Sequence, residues 1–221
     1  MRIVVTEDVS EDNSFDLFTL HSVGRYLIQL PSSVSFVGKS AFMGCTSLTN
    51  IEVDEKNEYY SSLNGVLYDK DKTALICWPA GLNSTAVTIP DSVTTIEYGA
   101  FEACGSLTDI TIPGSVTNIG QVAFGGCKNL ASVTILNPDC QIYDSVTTIC
   151  NGEGSNAGEY RFDGTIYGYA NSTAQEYAEK YGYRFEPIAP ALEKLSVETL
   201  MQSLQQAEMP DLKRNRSRLL T

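Results

Sequence analysis

Apolar residues recur in a fixed order, 23 positions apart, between Ile89 and Ile135. Written as two lines, IPDSVTTIEYGAFEACGSLTDIT and IPGSVTNIGQVAFGGCKNLASVT, this stretch aligns without a gap. Val93 falls on Val116, Ile96 on Ile119, Ala100 on Ala123, Phe101 on Phe124, Cys104 on Cys127 and Leu107 on Leu130. Ile110 and Ile112 fall on Val133 and Ile135, while the positions between these columns drift. A unit this short cannot bury its own apolar side, so neighbouring units must stack and share one elongated core. The same ladder is read upstream in PSSVSFVGKSAFMGCTSLTNIEV as Val34, Phe36, Ala41, Phe42, Cys45, Leu48, Ile51 and Val53.

Inside each unit the pattern Leu107-x-x-Ile110-x-Ile112 predicts a short strand with its apolar residues turned into the coil. Strands from successive turns are expected in register as a parallel sheet along one side. The outward positions beside them form a candidate binding face: Asn50, Glu52 and Asp54, then Asp109 and Thr111, then Ser132 and Thr134. This face is acidic at one end and hydroxyl-bearing at the other. Threonine also suits strand exteriors for its shape alone.

The consensus IPxSVTxIxxxAFxxCxxLTxI resembles the BspA-like leucine-rich repeat family of bacterial surface and secreted proteins, the treponemal-antigen type of repeat. NEYYSSLNGVLYDKDKTALICWPAG is similar to that family's hairpin-bearing long repeat, and TIYGYANSTAQEYAEKYGYRF to its carboxy-terminal unit. The resemblance runs from about Leu30 to Phe185. It implies an α/β solenoid: a leucine-rich-repeat right-handed superhelix of 23-residue repeats with short parallel ladder strands, a hairpin-bearing long repeat and a C-terminal helix cap. It further implies a non-enzymatic, adhesin-like binding module at the cell surface or secreted, recognising a protein or glycan. The alternative is a structural or spacer repeat domain without a ligand of its own.

Three segments follow: an irregular N-terminal cap over 1–29, the repeat domain over 30–186 and a C-terminal helical extension over 187–221. Residues 54–89 form one long module before the regular frame resumes at Pro90. Within it Gly65–Tyr68 and Thr73–Trp78 read as strands joined by the charged turn Asp69–Lys72. Tyr59, Tyr60, Tyr68 and Trp78 either present an aromatic hot spot there or pack a local core. After Ile135 the frame loosens, and the 23-residue spacing of Cys150 from Cys127 is read as accidental because no Ala-Phe precedes it.

At the far end, Ser172 with Gln175 makes a capping box. Ala174, Tyr177, Ala178 and Tyr181 line one helix face, and Gly182 supplies the stop. Beyond Pro187 and Pro190, Val197, Leu200, Met201 and Leu204 form the stripe of a further helix ended by Pro210.

Composition narrows the partners. A net charge of −12 disfavours nucleic acid, whose phosphates need a positive surface. No apolar run reaches the roughly 18 residues of a membrane span, and MRIVVTEDVSEDNSF lacks the features of a secretory leader. Six cysteines suggest disulfides at first sight. The Cys45, Cys104 and Cys127 column lies beside the phenylalanine column, however, where a free thiol fills space as a small hydrophobe. There is no C-x-x-C, and His21 is the single histidine, without an orienting partner in view. No catalytic motif, cofactor fingerprint or metal-ligand spacing is present. The sequons at Asn83 and Asn171 match a glycosylation signal, the second better explained as a helix start.

Overall fold

The computed structural model describes residues 2–4, 26–82, 87–152 and 160–189. The chain divides into two compact units, residues 1–188 and 189–221; only the first is described below. His21, the Asn83 sequon and the helix expected after Leu195 lie outside the described residues.

Each regular turn of the coil has two strand sides. One carries the longer ladder strands β8 (Asp109–Ile112), β10 (Ser132–Ile135) and β12 (Thr165–Gly168), followed by β13 (Arg184–Pro187). These pair in parallel, with Ile110 beside Val133 and Val133 beside Ile166. The other carries β7 (Thr95–Ile96), β9 (Asn118–Ile119) and β11 (Gln141–Ile142), also parallel and 23 residues apart. A tight Pro-x-x-Val turn joins the two sides, closed by Val93 N–H to Pro90 O at 3.0 Å and Val116 N–H to Pro113 O at 3.1 Å. The Ala-Phe segment is stitched to the next turn as well, with Phe101 N–H donating to Ala123 O at 2.8 Å. Every turn thus hands its backbone polar groups to its neighbours, as burial requires.

The ladder columns point inward as the periodicity predicts. Phe101 and Phe124 are fully buried, as are Val93, Val116, Ile112 and Ile135. One assignment is corrected: Phe36 is half exposed and Val37 is buried. Counting from Val34 against Val93 puts Val37, not Phe36, on Ile96, and a slip of one residue reverses the side of a strand.

The long module is the main departure from a plain ladder. The structure adds a strand, β4 (Tyr60–Leu63), antiparallel to β5 (Val66–Asp69), which is antiparallel in turn to β6 (Ala74–Cys77). Asn64 and Gly65 make the two-residue turn between β4 and β5 with φ of 52° and 83°. Both are positive, as a primed hairpin turn demands. Asp69 secures the second turn by accepting from Thr73 N–H at 2.7 Å and Ala74 N–H at 2.8 Å. Strand β6 then pairs in parallel with β7, returning the chain to the coil.

The expected single ladder sheet is accordingly interrupted. On one side of the module β1 (Arg2–Val4), β2 (Tyr26–Leu30) and β3 (Leu48–Val53) form a three-stranded parallel sheet. On the other, β8, β10, β12 and β13 form a four-stranded one. The buried residues likewise fall into two clusters. One holds Ile28, Leu30, Val34, Ile51, Leu67 and Cys77; the other runs from Val66, Tyr68 and Trp78 through the regular turns to Tyr177.

After Ile135 the coil continues better than the sequence suggests. Ile142 still pairs with Ile119, and Cys140 N–H returns to Asn137 O as Val116 N–H does to Pro113 O. Cys150 is no accident: Cys127 N–H donates to Cys150 O at 3.2 Å, and Ile149 bridges Phe124. Thr165 pairs with Ser132 at a separation of 33 residues, so the extra chain is inserted after the cysteine column.

Helix α1 (Thr173–Tyr181) closes the end of the core as predicted. Ser172 caps it by accepting from Gln175 N–H, the Gln175 side chain accepts from Asn171 N–H at 2.8 Å, and Gly182 ends it at φ 69°. Tyr183 N–H reaches back to Ala178 O at 2.8 Å, completing a Schellman turn.

Candidate binding face

The alternation within the ladder strands decides which side chains reach solvent. In β8, Asp109 and Thr111 are exposed while Ile110 and Ile112 are buried. Parallel pairing then sets these outward positions in two files. The first runs Asp109, Ser132, Thr165, Arg184; the second runs Thr111, Thr134, Tyr167, Glu186. The structure therefore brings Asp109, Thr111, Ser132 and Thr134 together and extends their face by Thr165, Tyr167, Arg184 and Glu186. The sequence reads Thr165–Gly168 as a last ladder strand and Tyr183–Phe185 as a returning strand, and the structure bears out both, but the insertion before Thr165 hides their register with the face.

Asp109 is fixed within its file. Ser132 Oγ donates to Asp109 Oδ1 at 2.5 Å. Hydrogen bonds from Ser132 and Thr108 hold its carboxyl below the ordinary carboxylate pKa, because both favour the charged form. The other hydroxyls stand on a β-surface whose backbone is already paired and present themselves as donors and acceptors.

Asn50 and Glu52 lie on β3 of the separate three-stranded sheet, and Asp54 follows directly after its end. Glu52 lies beside Gln29 in register, and its carboxylate accepts from Gln29 Nε2 and Asn50 Nδ2, both at 3.2 Å. Asp54 Oδ1 accepts from Lys56 N–H at 2.8 Å. Glu52 and Asp54 line an open cleft of about 550 Å³ with Gln29, Glu55, Lys56 and Ser62, and its apolar lining comes from Leu30, Pro31 and Val53. Ser62 enters from β4, the strand that the sequence reading missed. The Asn64-Gly65 dipeptide is the signal that would have revealed it. Between the two sheets Thr88 is exposed while Ile89 is buried, so the inward-outward alternation already operates before Pro90.

The aromatic residues of the long module divide. Tyr68 and Trp78 are buried, and Trp78 occupies the phenylalanine column, stacked on Phe101 with ring centroids 5.6 Å apart. Tyr60 is half-buried, and its hydroxyl accepts from Val37 N–H at 2.9 Å. Tyr59 alone of the four is largely exposed. The module's aromatics therefore mainly build core.

The cysteines are buried free thiols. Cys127 Sγ donates to Phe101 O at 3.0 Å and Cys104 Sγ to Trp78 O at 3.7 Å, each reaching the aromatic residue one turn back. Burial pushes the Cys127 and Cys140 thiols up to about 12, far from the lowered values of reactive thiolates. Among the described residues no group of His, Cys, Asp and Glu is placed to hold a metal ion, and no helix is long and apolar enough to cross a membrane.

Solved structures of bacterial proteins are similar to this fold. A leucine-rich cell surface protein from Faecalibacterium prausnitzii aligns with a TM-score of 0.52 and 24% identity, over 78% of this chain and 50% of that one. A leucine-rich repeat protein from Eubacterium ventriosum gives 0.48 and 19% over 75% and 49%. The pneumococcal vaccine antigen PcpA gives 0.42 and 18% over 75% and 56%. The chain spans about half the length of these proteins. A search of the curated proteins found no match. The profile of the BspA type leucine rich repeat region matches residues 16–64 and 80–152 in six copies, more than half of the chain. With its inward columns, parallel ladders and helix-closed end, the chain belongs to the BspA-type leucine-rich repeat family.

Proposed function

We propose that this protein is a non-enzymatic binding module of adhesin type, working at the cell surface or secreted, which recognises a protein or glycan through its ladder-strand face. The observation that carries this reading is the register of the two outward files, from Asp109 to Arg184 and from Thr111 to Glu186. A solenoid spaces such side chains one strand apart on a stiff backing. The face is therefore pre-organised, which lowers the entropic cost of binding an extended partner. The outward residues offer carboxylate, hydroxyl, phenol and guanidinium groups without a buried acid–base pair among them, which suits recognition rather than bond-breaking.

Pull-down from extracellular matrix and a glycan array test this function, with Asp109→Ala, Glu52→Ala and Asp54→Ala as controls. The expected result is a captured partner whose binding falls with at least one of these substitutions. Capture of nothing above background, or capture indifferent to all three, sinks the reading and leaves the spacer role. Protease added to intact native cells tests the placement: degradation supports a surface location, and full protection in cells with the protein confined to the cytosol overturns it.

A further inference from the structure

The cleft between β3 and the long module combines an apolar lining with a cluster of carboxylates. It is an open cleft of about 550 Å³ whose apolar lining comes from Leu30, Pro31 and Val53. That volume lies within the range of small-ligand sites. Its rim holds the carboxylates of Glu52, Asp54 and Glu55 against the single cation of Lys56, with Gln29 and Ser62 as neutral polar groups. Glu52 is oriented by two carboxamides, and Ser62 is tied in place by Val53 N–H at 3.1 Å.

We propose that this cleft seats an arginine side chain of a protein partner, its methylenes against the apolar lining and its guanidinium between Glu52 and Asp54. The inference rests on the binding reading given above and names the class of partner: a polypeptide with a basic anchor. Arginine fits better than lysine because a planar fork can meet two carboxylates at once and tolerates partial desolvation. It is also enriched among interface residues that carry binding energy. Charge complementarity supports the same occupant, since the rim is net negative and the chain carries −12 overall. Lys56 works against it, which gives the proposal a sign to test.

The probe is the pentapeptide Gly-Ser-Arg-Ser-Gly, compared with the same peptide carrying citrulline, titrated into the 15N-labelled full chain and followed by NMR. The arginine peptide is expected to shift the amides of Gln29, Glu52–Lys56 and Ser62 with a millimolar Kd. The citrulline peptide, which keeps the shape and loses the charge, is expected to bind at least tenfold more weakly. Glu52→Gln and Asp54→Asn should each weaken the arginine peptide, and Lys56→Met should tighten it. Equal response to both peptides, saturation on another surface, or no response by roughly 20 mM, a binding energy of only about 2 kcal/mol, overturns the proposal. Calcium chloride producing the same shifts at lower concentration than the peptide also overturns it, in favour of a cation site. Failure here with Asp109-dependent capture intact refutes the arginine pocket alone; loss of both refutes the binding reading itself.

Discussion

Phe101 and Phe124 stack across adjacent turns with ring centroids 5.1 Å apart and planes 13° from parallel. Trp78 extends the stack by one turn, so three aromatic rings run along the axis of the larger core. Phe124→Ala removes the end ring of this stack, with its contact to Phe101, and leaves a cavity among fully buried neighbours. A loss of about 3–5 kcal/mol is expected, read from urea unfolding, and a change near zero would mean the ring contributes little.

Thiol burial predicts an alkaline limit to stability. An unfolded cysteine ionises near 9, whereas burial holds the Cys127 thiol protonated up to about 12. Above pH 9 the unfolded chain loses protons that the native one keeps, so deprotonation pulls toward unfolding. Each such thiol costs up to about 1.4 kcal/mol per pH unit across that window. Melting temperature should fall from pH 9 to 11 and hold more nearly constant from 7 to 8.5. Replacing Cys127 by Ala should flatten the alkaline slope even if it lowers the plateau. Reductant should leave the melting temperature at pH 7 unchanged, and native thiols should react with a disulfide reagent only at the rate of unfolding.

Tyr177 ties the cap helix to the irregular turn. Its hydroxyl donates to Ser145 O at 2.8 Å and accepts from Ile149 N–H at 3.3 Å. Tyr177→Phe keeps the ring and strands the Ile149 N–H, while Ser145 O retains its bond from Thr148 N–H at 3.1 Å. The expected cost is about 1–3 kcal/mol, with faster amide exchange at Ile149 than at Val133 as the local signature. Uniform acceleration would instead mean that the hydroxyl acts globally.

Gly65 has two independent reasons to be glycine. Its φ is positive, and a Cβ would lie 2.3 Å from Asn50 Oδ1. Gly65→Ala should therefore destabilise by about 1–2 kcal/mol from the backbone alone, and by more from the clash. Adding Asn50→Gly should recover the second part and not the first. A purely additive double-mutant cycle would show that the two sites do not couple.

Much of this was legible before the structure. A 23-residue spacing of Phe101 and Phe124 fixes which residues turn inward, because stacking makes every turn repeat the same environment. The cap helix was equally legible, since Ser172, Gln175 and Gly182 act locally. What escaped had nonlocal or one-residue causes. Phe36 was misplaced because Val37 beside it is also apolar, and only the neighbouring turn decides between them. Asn57 stands 23 residues after Val34, where an apolar residue would be expected. It is fully buried, donating to Pro31 O and Val34 O at 2.9 Å and accepting from Tyr59 and Tyr60 N–H. A carboxamide doing the work of a backbone turn leaves no hydrophobic trace. The candidate face was half legible: Asp109 and Ser132 follow from the period, but Tyr167 and Arg184 lie beyond the insertion. Glu52 and Asp54 could be named, yet the cleft they border depends on β4.

Val66, Leu67 and Tyr68 are consecutive and all buried, which a strand can be only when apolar material lies on both of its faces. Leu67 belongs to the smaller cluster and its two neighbours to the larger. β5 is thus a party wall. Turns can be added, lost or repacked on one side while the residues on the other keep their surroundings. Paired conservative substitutions such as Ile51→Val and Leu75→Val should accordingly add without interaction, whereas Leu75→Val combined with Tyr68→Ala, its cross-strand neighbour, should not. A lineage that varies its number of repeats would find here a joint that insulates each half from changes in the other.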